Sequence, residues 1–280
     1  MHKKIIWVTS YPKSGNTWLR SILSSLFFSE DGKFDFKLLQ HIKHFDRPEN
    51  YSFVKEINKD DYENLSKIKV ISKYRIQAQE KLKTEKEFIF FKTHSANASL
   101  NSNQYTNEKN SLALIYIVRD PRDIVISYSH HTGTSIDYNI NKLFDNKVTL
   151  LNSKRRIKVI LSRWDTHIKS WSLLNVKKYI IKYEDLINNT EKHFLELIDF
   201  IRKDLKIQFK LNSKKFNNII KNTSFKKLQE NENIIGFDEV YKGKFFRKGL
   251  SKQWENILSE DQNIKIKKEF YIMLKKFNYI

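Results

Sequence analysis

The chain has no cysteine, six glycines and three prolines in 280 residues. Without cysteine there is no disulfide framework and no thiolate metal site, and the absence fits a cytoplasmic setting. Acidic residues are in deficit, with 32 Asp and Glu against 52 Lys and Arg, for a formal charge of +20. Long apolar runs are missing as well. The longest uninterrupted one extends from Leu112 to Val118, far below the roughly 20 residues of a membrane helix. Met1-His2-Lys3-Lys4 is basic, but only four apolar residues follow, too few for a secretory core. No repeat, low-complexity linker or Pro/Gly/Ser-rich boundary divides the chain, so the expectation is one domain over 1–280.

What is present in quantity is lysine, at 42 of the 52 basic residues, the other ten being arginine. Asn and Ile are also frequent throughout, as an AT-rich coding bias produces. That bias explains the charge without any partner. The alternative is a polyanionic partner, either nucleic acid or an anionic cofactor or substrate. With 40% hydrophobic and 14% aromatic residues, the composition supplies an ample core.

Continuous apolar runs at 4–9, 88–92, 112–118 and 178–183 read as buried parallel strands. Helices are expected at 17–28, 72–83, 121–131, 157–174, 190–203, 213–221 and 261–276. In the first of these, Trp18, Leu19, Ile22, Leu23, Leu26 and Phe27 recur at helical spacing. This alternation predicts an α/β protein, a three-layer P-loop-like fold with a central parallel sheet flanked by helices. Ligands in such folds bind at the carboxyl ends of the strands.

Four polar segments fall at those ends or in basic loops. The first is Pro12-Lys13-Ser14-Gly15-Asn16-Thr17, between an apolar strand and an amphipathic helix. Strand, polar loop and helix N-terminus make an anion cradle. The loop resembles a P-loop, but it has one glycine and its lysine comes early. The competing reading is a polar turn that caps a core helix. Trp18 is either helix core or a platform for a purine. The second segment is Lys92-Thr93-His94, ending a buried strand. A histidine there can act as a general base, or be an ordinary hydrogen-bonding residue. The third is Arg119-Asp120-Pro121-Arg122-Asp123, with Ser127 further along the helix. Arg119 can fork onto a phosphate, whereas Arg122 and Asp123 read as structural. The two aspartates have no further ligands in the pattern, so no metal is expected. The fourth is Phe245-Phe246-Arg247-Lys248-Gly249, an anion clamp, a nucleic-acid patch or a basic turn.

In this order, the segments resemble the sulfotransferases that use 3'-phosphoadenosine 5'-phosphosulfate (PAPS). The resemblance covers most of the chain. It rests on Tyr11-Pro12-Lys13-Ser14-Gly15, Lys92-Thr93-His94, Arg119 with Ser127, Tyr183-Glu184-Asp185, Thr223-Ser224-Phe225 and Arg247-Lys248-Gly249. Arg163-Trp164, His167 and Trp171 are similar to the family's long helix. The likeness is to the cytosolic-type branch and a bacterial member of it. It implies that Lys13 stabilises charge on the bridging oxygen and that Ser14, Gly15, Asn16 and Thr17 hold the 5'-phosphate. Trp18 and Phe225 would flank the adenine, with Tyr183 and Ser224 lining the nucleotide site. Arg119, Ser127, Arg247, Lys248 and Gly249 would hold the 3'-phosphate. His94 would take the acceptor's proton and Lys92 would assist at the transferring group. The product would be adenosine 3',5'-bisphosphate (PAP), with no metal demanded.

The chain departs from the pattern in places. Asn16 stands where animal members often have threonine, and the second glycine often seen after Gly249 is missing. The Lys-x3-Thr-Val-x3-Glu dimer motif of animal enzymes is absent from 254–268, which leaves the oligomeric state open. Segments 33–87 and 133–154, where the acceptor is expected, carry no legible signature, so a small molecule and a glycan both stand as acceptors. Two other functions compete: a P-loop kinase of a nucleoside or small molecule, and a basic nucleic-acid binder. The kinase lacks a Walker-B carboxylate, and the binder leaves Lys92-Thr93-His94 unexplained.

Overall fold

The computed structural model describes residues 4–55, 65–82, 87–150 and 157–280. In chain order the elements are β1 (Ile5–Thr9), α1 (Asn16–Phe28), α2 (Leu65–Glu80), β2 (Ile89–Thr93), β3 (Ser111–Val118), α3 (Pro121–Thr132), α4 (Ile136–Phe144), β4 (Thr149–Leu150), β5 (Val159–Ile160), α5 (Trp164–Ser172), β6 (Lys177–Lys182), α6 (Tyr183–Asn188), α7 (Thr190–Asp199), α8 (Ser213–Asn222), α9 (Phe225–Ile235), α10 (Trp254–Ile257) and α11 (Glu260–Lys276). Short 3-10 turns at Phe36–His41 and Pro48–Tyr51 precede α2, and a π-helical turn, Phe200–Asp204, extends α7.

The main sheet has the order β2-β1-β3-β6. β1 runs parallel to β2 and to β3, with Thr9 level with Thr93 on one side and Tyr116 on the other. Every residue of β1 is buried, as a strand with neighbours on both edges requires. β6 lies at the end of the order, and its Ile180 is exposed. Its apolar run is therefore that of an edge strand, not of the fully buried one expected.

Close packing groups the chain into two compact units. One comprises Met1–Tyr11, Lys43–Tyr116 and Asp145–Lys178, the other Pro12–Ile42, Ile117–Phe144 and Tyr179–Ile280. In the first, Trp7 is fully buried. Its ring lies 5.3 Å from Phe45, 5.6 Å from Tyr105 and 5.7 Å from Trp171, centroid to centroid. Its indole N–H donates to Ser111 Oγ at 2.9 Å, so the polar edge of the ring is satisfied. Beside it lies a buried polar network. Asp46 accepts from Thr93 Oγ1 (3.0 Å) and Tyr105 OH (2.8 Å), and the Arg75 guanidinium lies over the Tyr105 ring.

In the second unit, α1 buries Leu19, Ile22, Leu23 and Leu26, each worth about 1.5–3 kcal/mol of transfer free energy. Phe194 of α7 stacks on Phe216 of α8 at 5.2 Å. Helix starts follow their caps. Asp120 accepts from the Arg122 N–H with Pro121 at the first position of α3, Asn212 accepts from Lys215, and Ser259 forms a capping box with Gln262.

The helix expected at 157–174 is shorter. Val159–Ile160 instead pairs antiparallel with Thr149–Leu150, Ser162 has φ 61°, and α5 starts only at Trp164. The β-branched residues Val159 and Ile160 take the extended form they favour. The helix expected at 72–83 begins earlier, at Leu65, and ends at Glu80; position 83 lies outside the described residues. Helices α4, α6, α9 and α10 had no counterpart in the sequence reading, because each is short or mostly polar.

Candidate functional site

Within the second unit, a loop with unusual backbone precedes α1. Lys13 has φ 66° and Gly15 has φ 99°. A Cβ on Gly15 would stand 2.6 Å from Tyr183 Cδ2, so only glycine fits. Gly15 is also the N-cap of α1 and brings no side-chain acceptor to its first turn. Ser14 is fully buried, and its Oγ has no partner among the described residues. A helix N-terminus left open, a backbone bent through positive φ and an orphaned hydroxyl together form a nest for an anion.

The neighbours of that nest are cationic. Burial of the Lys13 ammonium, followed by the repulsion of Arg119, lowers its pKa to about 8. The ammonium lies 4.1 Å from the Phe245 ring centroid. Arg119 is buried, donates from Nη1 to the Lys13 carbonyl at 3.0 Å and from Nη2 to the Leu250 carbonyl at 2.9 Å, and covers the Tyr183 ring at 4.2 Å. Its Nε has no partner among the described residues. Arg247 is lowered by burial and then by Arg119, and His130, at the surface of α3, is lowered by partial desolvation and then by Arg247 and Lys248. These cations, offset in part by Glu239 and Glu232 near Lys13, suit a place that takes added negative charge.

The other residues expected to serve the donor have differing engagements. Thr17 donates its hydroxyl to Glu239 Oε2 at 3.1 Å. Asn16 is buried at the start of α1. Trp18 is buried, edge-on to Tyr183 at 5.9 Å, and its indole N–H has no partner among the described residues. Ser224 is the N-cap of α9, accepting from the Lys227 N–H and donating to the Lys221 carbonyl. The Phe225 ring lies directly against Gly249, whose φ is 62° and whose missing Cβ leaves room for it. Arg247 donates to Gln253 Oε1 at 2.8 Å, Lys248 is exposed, and Ser127 is half-buried on α3. Arg122 and Asp123 are structural, as read. Arg122 grips Asp120 through Nε and Nη2 and donates to the Tyr279 carbonyl, while Asp123 accepts the Lys252 and Trp254 N–H groups.

Sequence reasoning missed three contributors in this unit. Glu232 accepts the N–H groups of Phe245 (2.6 Å) and Phe246 (2.8 Å), and Gln229 donates to the carbonyls of Phe246 and Arg247. These two α9 side chains shape the basic loop. Glu239 accepts from Arg20 Nη1 at 2.8 Å as well as from Thr17. In a largely polar segment, Gln229 and Glu232 looked like solvated residues, and only the i, i+3 spacing of Gln229 and Glu232 hinted at a shared face.

In the first unit, His94 follows directly on β2. Its Nδ1 lies 2.9 Å from the Ser10 carbonyl oxygen. A carbonyl only accepts, so Nδ1 carries a proton and, in the neutral ring, Nε2 is the unprotonated nitrogen. The ring is half-buried. Lys92 is buried on β2, with its N–H donating to the Lys43 carbonyl and its own carbonyl accepting from Phe45. Among the described residues no group of three His, Asp or Glu side chains is arranged to hold a metal ion, and no helix is long and apolar enough to cross a membrane.

The sulfotransferase domain family matches residues 3–278, and the chain belongs to that family of enzymes. It is similar to the amine sulfotransferase of Oryctolagus cuniculus, 22% identical over 97% of this chain and 81% of the relative. It is also similar to the luciferin sulfotransferase of Photinus pyralis, 26% identical over 93% of this chain and 69% of the relative. Among solved structures, it resembles retinol dehydratase in complex with androsterone and the inactive cofactor PAP. The TM-score is 0.63 and the identity 18%, over 98% of this chain and 82% of that one. Mouse sulfotransferase SULT7A1 complexed with PAP aligns with a TM-score of 0.58 at 17% identity, over 97% and 84%. The α/β fold, with a central sheet flanked by helices, is the one these structures share.

Proposed function

We propose that the chain transfers the sulfuryl group of PAPS to a hydroxyl or amine of a small-molecule or glycan acceptor, as one sulfotransferase domain spanning 1–280. The single observation that carries this reading is the gathering of buried Lys13 and Arg119 at a nest whose Ser14 hydroxyl has no partner among the described residues. The relatives in complex with PAP support the identity of the donor. A cytoplasmic setting is supported by the cysteine-free sequence.

When bound, the donor supplies a sulfuryl group on an anhydride oxygen that leaves as phosphate. Ser14, Gly15, Asn16 and Thr17 hold the 5'-phosphate, and Trp18, Tyr183, Ser224 and Phe225 serve the nucleoside. Arg119, Ser127, Arg247, Lys248 and Gly249 hold the 3'-phosphate. His94 Nε2 accepts the acceptor's proton as the new bond to sulfur forms. The old S–O bond breaks with its electron pair going to the phosphate oxygen, where the Lys13 charge offsets it. Lys92 steadies the transferring oxygens. Positioning and charge stabilisation supply the rate, as in phosphoryl transfer.

Incubation with PAPS and a panel of phenols, alcohols, amines and glycans, read by mass spectrometry, is expected to yield an acceptor that gains one sulfuryl group. His94→Ala is expected to lower that turnover by about 10²–10⁴. Wild-type turnover in the variant would remove His94 from the chemistry.

A further inference from the structure

The motif Arg163-Trp164, His167, Trp171 has no part in the donor site, yet two of its members reach the backbone on either side of the His94–Ser95 peptide. His167 is fully buried on α5. Its Nε2 lies 3.1 Å from the His94 carbonyl oxygen, and its Nδ1 lies 2.8 Å from Tyr116 OH. The carbonyl can only accept, so Nε2 holds the proton and Nδ1 accepts from the tyrosine hydroxyl. The Ser10 carbonyl in turn accepts from His94 Nδ1 at 2.9 Å.

These bonds form a relay. Tyr116 donates to His167 and His167 to the His94 carbonyl, while the His94 ring donates to the Ser10 carbonyl. The first two bonds point the same way, an arrangement in which each polarises the next. We propose that this relay, with His167 and Tyr116 as positioning residues, fixes the orientation and the proton position of His94 so that its Nε2 is the unprotonated nitrogen. The proposal rests on the reading of His94 as the base of sulfuryl transfer.

The direction of the relay requires a neutral His167. Burial lowers its pKa to about 4, so it stays uncharged through the working range. A proton on Nδ1 would face the hydroxyl proton of Tyr116 and break the relay. The surroundings brace the same stretch of backbone. Trp171 Nε1 donates to the Ser95 carbonyl at 2.8 Å, the Asn97 N–H donates to Ser170 Oγ at 3.0 Å, and Ala96 donates to the Ile160 carbonyl at 2.8 Å. Three side chains of one helix thus hold residues 94, 95 and 97, and removing one is expected to loosen the His94 ring without touching the nucleotide residues.

The test reads the proton directly. In ¹⁵N-histidine-labelled protein, long-range proton–nitrogen spectra distinguish the two tautomers, and His94→Gln identifies the His94 signals. Wild type should show His94 protonated at Nδ1 and unprotonated at Nε2. Tyr116→Phe, which removes one hydroxyl and little volume, should convert His94 to a mixture of tautomers, as should His167→Ala. His167→Gln should restore the wild-type pattern, since its amide oxygen can accept and its amide nitrogen can donate. A wild-type His94 protonated at Nε2, or an unchanged His94 signal in Tyr116→Phe, overturns the proposal. Should His167→Ala fail to fold, Tyr116→Phe and His167→Gln still decide it. Titration of each protein with PAP separates the two readings. Unchanged PAP affinity in the variants supports a role confined to His94, whereas weakened affinity contradicts it. Failure of wild type to bind PAP would sink the donor assignment and leave the tautomer result standing.

Discussion

Ser14 holds the most economical test at the scale of single residues. Its hydroxyl is buried with no partner among the described residues, a state that costs about 1–3 kcal/mol. Ser14→Ala is therefore expected to leave thermal stability unchanged or raised while weakening PAP binding by roughly five- to tenfold, the worth of about one hydrogen bond. A variant that loses stability and keeps full affinity would show that the hydroxyl serves the fold instead. Lys13 gives a prediction with a sign. Its folded pKa is lowered to about 8 by burial and by Arg119, and an arriving dianion raises it again. Below that pH the ammonium is already charged. Above it, binding must take up a proton, and affinity falls by up to about tenfold per pH unit. Titrations with PAP from about pH 7 to about pH 9.5, in buffers of differing ionisation heat, are expected to reveal proton uptake that grows above about pH 8. Lys13→Met should abolish the uptake, and uptake that persists in that variant would assign it elsewhere. The residues named from the sequence were legible because cation, hydroxyl and glycine stood together in a short polar break between apolar runs. The Ser10 carbonyl, which sets the His94 proton, had no signal at all, because every residue has a carbonyl and only the fold aims it.

At the scale of elements, α9 and the loop after it carry the least expected structure. Glu232 ties the N–H groups of Phe245 and Phe246, and Gln229 ties two carbonyls, so the helix dictates where Arg247 and Lys248 stand. Glu232→Gln keeps the size but halves the acceptor capacity of the group. It is expected to speed amide hydrogen exchange at residues 245–249 and to weaken PAP binding, with little effect on exchange in the first unit. Unchanged exchange at 245–249 would mean that the loop is held by its aromatic contacts alone. The strands that lead to the site were legible through their apolar runs, and α1, α3 and α11 through their periodicity and caps. β5 was read as helix because apolar β-branched residues fit either pattern in a short stretch, and pairing with Thr149–Leu150 decides between them. α9 buries only Leu228 and Glu232, so it presents no stripe from which a helix can be read.

For the molecule as a whole, the +20 charge has two parts of different meaning. Most of it is lysine spread along the sequence. A few cations, Lys13, Arg119, Arg247 and Lys248, are brought together by the second unit, where they depress one another's proton affinity or that of His130. Chain-wide composition did not distinguish these parts; their gathering depends on contacts more than a hundred residues apart, such as that of Arg119 with the Lys13 and Leu250 carbonyls. The central claim is that this gathered charge holds a nucleotide at two phosphates. A calorimetric titration of the intact protein with PAP and with adenosine 5'-monophosphate tests it most directly. Each lost charge-assisted bond is worth about 1.5–3 kcal/mol, so PAP is expected to bind at least about tenfold more tightly, and Arg247→Ala should erase most of that difference. Equal affinity for the two nucleotides, or no binding of PAP, would contradict the account.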